Sequence, residues 1–158
     1  MHVTQGSGTN AAWDNTFHSE CDAYNETLVV GSNALGRVFG GFAGTYWNQP
    51  TPGAGQYDTT AFDSFIFRLS GTPERWTAEE GVYESGYLYN GNTAYFPIWG
   101  GTGNYYGELK FGGNGPLGSN GQCRAGTTYN SPANEPCGGD SNWGETQMEV
   151  FHRCTNIT

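Results

Sequence analysis

Residues 27 to 47, TLVVGSNALGRVFGGFAGTYW, constrain the fold of this chain more than any other stretch. Two apolar runs flank a short polar segment that holds Asn33 and Gly36. Both residues tolerate the backbone conformations a tight turn needs, so the pattern predicts a β-hairpin: TLVVG, a turn over SNALG, then RVFGGFAGTYW. Further along, AFDSFIFRLS alternates with Phe65, Phe67 and Leu69 on one face, as a strand does. TAYFPIWGG and GELKFGG read as two more strands, and TQMEVFHRC closes the chain with Met148, Val150 and His152 alternating against Glu149, Phe151 and Arg153.

Between these lie NQPTPGAGQYD and a long Gly/Asn/Pro-rich segment through 114–144. PERWTAEE suits one helical turn, and no longer helix and no internal repeat declares itself. Residues 1–16 are polar and read as a loose arm. The fold class expected is mostly β (α+β): a two-layer antiparallel β-sandwich with long Gly-rich loops and a few short helices. Composition agrees. Aliphatic residues are few, but nine Phe, ten Tyr and five Trp supply large rings that can build a core in their place.

Six basic against fifteen acidic residues leave a formal charge of -9. Such a surface is repelled by a phosphate backbone and by anionic lipid, which excludes nucleic-acid binding and peripheral membrane attachment. No apolar run approaches the roughly 20 residues a membrane helix needs, so no membrane insertion is expected. The opening MHVTQGSGTN has neither a basic segment nor an apolar one of signal-peptide type, so the chain as given reads as cytosolic or as a mature or excised piece of a secreted protein.

Four cysteines, Cys21, Cys123, Cys137 and Cys154, contain no CxxC spacing, which disfavours a zinc knuckle or a redox motif. Their even number, with N-glycosylation sequons at Asn25 and Asn156, points to a secretory compartment. Cys21 with His18 is the one nucleophile-and-base candidate. On an extended segment the two would face opposite ways, and Glu20 and Asp22 beside the thiol oppose the thiolate.

GNGPLG at 113–118 matches a dinucleotide-binding pattern, but the Pro and Gly beyond it offer no helix for the phosphates. Of the carboxylates Glu79, Glu80, Glu84, Glu108, Asp58, Asp63, Asp140 and Glu145, none stands in a pattern that selects a catalytic pair, and Asp140 with Glu145 lacks the ladder of a calcium loop. No metal or cofactor is expected. The stronger lead is aromatic. Trp47, Trp76, Trp99, Tyr105, Tyr106 and Trp143 border Gly/Asn/Pro loops and form a candidate surface for glycans or proteins, unless the core claims them.

The order of these pieces resembles the TLD domain (TLDc family). FHSECD precedes the hairpin TLVVGSNALGRVFGGFAGTYWN, AFDSFIFRLS follows, then ELKFGGNGPLG, GQCRAGTTYN and the closing TQMEVFHRC. The likeness runs from Phe17 to Cys154, so one TLDc-like domain is expected over 17–158. It implies a compact two-layer β domain without an agreed catalytic centre. It also implies, for intracellular members, oxidative-stress protection and binding to the vacuolar proton pump.

The four cysteines, the sequons and the acidic Gly/Asn/Tyr-rich surface depart from that intracellular pattern. They favour a non-catalytic extracellular structural or interaction module that self-associates into a coat or fibre, or binds protein partners. A carbohydrate-binding module and a cytosolic stress-protection protein are the alternatives. Four cysteines allow three connectivities. The expectation is Cys21–Cys154, tying the domain's ends, and Cys123–Cys137, closing a ring of about 15 residues worth roughly 3 kcal/mol.

Overall fold

A computed structural model describes residues 2–5, 13–47, 57–58, 60–78, 88–89, 97–100, 108–112, 121–123, 128–132, 136–137 and 147–153. The chain is mostly β, in two antiparallel sheets. The first sheet holds β1 (His2–Gln5), β2 (Thr27–Ser32), β3 (Val38–Ala43), β5 (Phe65–Arg68), β6 (Glu74–Thr77) and β11 (Gln147–His152), in the order β1-β11-β2-β3-β5-β6. The second holds β4 (Tyr57–Asp58), β7 (Leu88–Tyr89), β8 (Ile98–Trp99), β9 (Leu109–Lys110) and β10 (Gln122–Cys123), in the order β10-β9-β8-β7-β4. The one described helix is α1 (Trp13–Cys21).

The hairpin is β2 and β3, paired from Thr27↔Ala43 to Ser32↔Val38. Asn33 and Gly36 carry its turn as expected. Asn33 Oδ1 accepts the N–H groups of Leu35 at 3.1 Å and Arg37 at 3.0 Å, and Gly36 sits at φ 73°. The Asn33 Nδ2 donates to the carbonyl of Cys137 at 3.1 Å, linking the hairpin end to a segment 104 residues on. Cys137 is bonded to Cys123, with Cα atoms 5.9 Å apart.

Glycine in the hairpin lets the second sheet approach. Phe39, Gly41 and Ala43 point inward from β3, and a Cβ on Gly41 would overlap the Trp99 indole. Phe111, just past β9, presses on Gly31 in the same way. Trp99 Nε1 donates to the Phe42 carbonyl at 2.9 Å, and Trp47 Nε1 donates to Thr27 Oγ1 at 2.8 Å, so both buried indoles have their polar atom satisfied. Phe17, Trp47, Trp99, Phe111 and Phe39 form a continuous chain of ring contacts with centroids 5.2–6.0 Å apart. This is the core.

Three local expectations change. The arm over 1–16 is not loose at its start, because His2–Gln5 pairs with Met148–Phe151 as an edge strand. FHSECD is not extended but ends a helix, since Phe17 and Cys21, four apart, both turn into the core. Glu74–Thr77 is a strand and not a helical turn: pairing with β5 sets Trp76 opposite Ile66 and lays its ring against the core. Ladder bonds and ring burial there outweigh local helix preference.

Candidate interaction face

The inward residues of the first sheet are consumed by the core, which leaves its outer face. Two cross-strand rows run over it. The first is Phe151–Leu28–Phe42–Phe65–Thr77, spanning β11, β2, β3, β5 and β6. The second is Glu149–Val30–Gly40–Phe67–Arg75 across the same strands. Leu28, Val30, Phe42 and Phe65 are half-buried, while Phe151 is 38 % exposed and Leu69 50 %.

Phe42 and Phe65 stack with centroids 5.2 Å apart, and the Arg75 guanidinium lies 5.1 Å over the Phe65 ring. Phe67 leans over Gly40, where a Cβ would come within 2.7 Å of its Cζ. The result is a groove of about 460 Å3, floored by Leu28, Val30, Phe65 and Phe67, with Arg68, Glu74 and Arg75 along its rim. A second hollow of about 350 Å3 continues over Leu28, Phe42 and Phe151 to the ion pair between Arg153 and Glu26, at 3.2 Å. An apolar floor with charged margins is the chemistry of a protein-docking surface.

The expected ring surface is corrected. Trp47 and Trp99 are 1 % and 0 % exposed and belong to the core, because a chain poor in aliphatic residues needs its largest rings inside. Trp76 is half-buried, with the Arg68 guanidinium 5.8 Å over its ring. Tyr105, Tyr106 and Trp143 lie outside the described residues, as do the GNGPLG segment, Asp140, Glu145, Asn156 and Cys154. Asn25 is exposed at a bend just before β2. Among the described residues no cluster of three or more His, Cys, Asp or Glu could hold a metal, and no helix is long and apolar enough to cross a membrane.

Cys21 is a free, buried thiol, so the expected bridge to Cys154 is not formed. The helix aims Cys21 into the ring cluster instead of along the sheet edge. Helical spacing also sets His18 and Cys21 near one face, yet the His18 ring bonds Asp22 Oδ1 at 2.8 Å. Burial, and then Asp22 and Glu20, push the Cys21 thiol up to about 12, the opposite of what a nucleophile requires. Glu108 is the carboxylate with the most unusual setting. It is buried and accepts the backbone N–H groups of Thr128 and Tyr129. Burial raises its pKa, against the lowering effect of those bonds. It clamps the 128–131 segment onto β9.

The profile of the TLDc domain matches residues 6–152, nearly the full length. The chain belongs to the TLDc domain family. No curated protein matches it. The β2–β3 hairpin, β5 and β11, which supply the outer face just described, all lie within the matched residues. Sequence reasoning missed that face. Its signal was present, because TLVVGS and VFGGFA carry apolar residues on both sides of the pleat, a pattern expected of strands covered on both faces.

Proposed function

We propose that this TLDc domain is a non-catalytic interaction module that binds protein through the outer face of its larger sheet. The observation carrying this reading is the apolar row Phe151–Leu28–Phe42–Phe65 with the groove beside it. A sheet face with this much half-exposed aromatic area gains from being covered. The Cys123–Cys137 bond supports an oxidising, extracellular or secretory setting, in which the exposed Asn25 sequon can be used. Burial of Trp47 and Trp99 weighs against the carbohydrate-binding alternative, because two of its six candidate rings are spent in the core. The cytosolic alternative requires four reduced thiols.

The test is a photo-crosslinking residue placed at Phe42 or Phe65, and at Leu35 on the exposed hairpin tip as control. Cross-links to protein from the first two sites and not from Leu35 support the reading. Equal cross-linking at all three, or none at the face, overturns it.

A further inference from the structure

Resting on that reading, we propose that the occupant of the outer face is a second copy of this chain, paired face to face about a two-fold axis that lies in the interface, parallel to β3 and over Gly40.

The argument is the order of residues in the second row. Glu149, Val30, Gly40, Phe67 and Arg75 lie side by side on five adjacent strands. At the usual strand spacing, Glu149 and Arg75 sit about 10 Å to either side of Gly40. A two-fold axis in the plane of the interface and parallel to β3 carries each point of the row onto its mirror position across Gly40. Glu149 of one copy then meets Arg75 of the other, and Arg75 meets Glu149. Val30 meets Phe67 in both directions. The first row obeys the same operation: Leu28 meets Phe65, Phe42 meets Phe42, and the exposed Phe151 meets the Thr77 flank beside the groove. One apolar row, capped by a carboxylate at one end and a guanidinium at the other, is self-complementary under this symmetry and under no simple translation.

Charge supports the choice of occupant. The chain carries only six basic residues against fifteen acidic ones, and two of the six, Arg75 and Arg153, border this face. Arg75 is exposed, rests on the Phe65 ring and forms no ion pair among the described residues. The chain's net charge of -9 opposes contact between copies, so the face that carries Arg75 and Arg153 is where two copies approach at least cost.

Sedimentation velocity of the whole chain across a concentration series, with Arg75→Glu, Glu149→Arg and the double variant, tests this. Wild type is expected to reach twice the chain mass with rising concentration. Each single charge reversal weakens the dimer at least tenfold, and the double variant recovers to within about threefold of wild type. Melting curves of all four chains verify that the fold is kept. A wild type that stays monomeric throughout, or single reversals that the double variant does not rescue, overturns the pairing. Monomeric wild type together with Phe42 cross-links to a different protein overturns the pairing alone and leaves the interaction-module reading standing. Absence of both removes both.

Discussion

The indole of Trp99 lies on the backbone of Gly41, and its Nε1 bonds the carbonyl of the next residue, Phe42, at 2.9 Å. This side chain, with Phe111 on Gly31, holds the second sheet against the first. A Cβ at Gly41 has no room, because the ring atoms behind it belong to the fully buried Trp99. Gly41→Ala is expected to destabilise the domain by about 1–3 kcal/mol through overpacking. Urea unfolding followed by tryptophan fluorescence checks it; a loss below the scatter of replicate curves would mean that the sheets are free to slide apart.

Asn33 ties the hairpin end to the Cys123–Cys137 loop through one side chain. Asn33→Ala leaves the Leu35 and Arg37 N–H groups and the Cys137 carbonyl without this partner, at an expected cost of about 1–3 kcal/mol. Asn33→Asp keeps the acceptor and loses only the donor to Cys137, so it is expected to fall between wild type and Ala in the same unfolding assay.

Cys123 and Cys137 close a ring of about 15 residues, and removing the bond by Cys123→Ser with Cys137→Ser is expected to cost roughly 3 kcal/mol. Both side chains are fully buried, so reduction of the native protein should be slow without denaturant. Comparing midpoints for oxidised wild type and the double variant measures the effect.

Cys21 contributes a pH dependence of definite sign. Its thiol is pushed up to about 12 in the folded chain, from an ordinary value of 9.0. Between those values the unfolded chain has lost the proton and the folded one holds it, so the stability contributed below pH 9 declines as pH rises toward 12. Cys21→Ala is expected to flatten this alkaline decline. Alkylation at pH 8 should be slow for native protein and fast in denaturant, and rapid native labelling would contradict the burial.

Glu108 acts at the other end of the scale. Burial raises its pKa above 4.5 in the folded chain. In the window just above 4.5 the folded state binds more protons than the unfolded one, so this group's contribution is fully present below 4.5 and is lost as pH rises through the folded value. Glu108→Gln removes the titration and should flatten that part of the stability curve. Glu108→Ala also strands the N–H groups of Thr128 and Tyr129, and is expected to cost about 1–3 kcal/mol at any pH.

Sequence alone determined the β class, the β2–β3 hairpin, its turn at Asn33 and Gly36, and the family. The class, the hairpin and its turn rest on period-two alternation or on turn chemistry, which are written in consecutive residues, and the family on the order of its motifs and the match over residues 6–152. What the sequence could not settle was which side of each strand faces inward. Phe65 and Phe67 alternate cleanly, and their spacing is the same whether that face is core or surface. Only the tertiary structure decided it, because Trp99 and Phe111, brought in from the other sheet, occupy the Gly41 and Gly31 side and leave Phe42 and Phe65 half-exposed on the outer face, with Phe67 folded down over Gly40. The helix Trp13–Cys21 and the strand Glu74–Thr77 were decided the same way: burial of Phe17, Cys21 and Trp76 against residues distant in the chain outweighed the weak local preferences of their own segments.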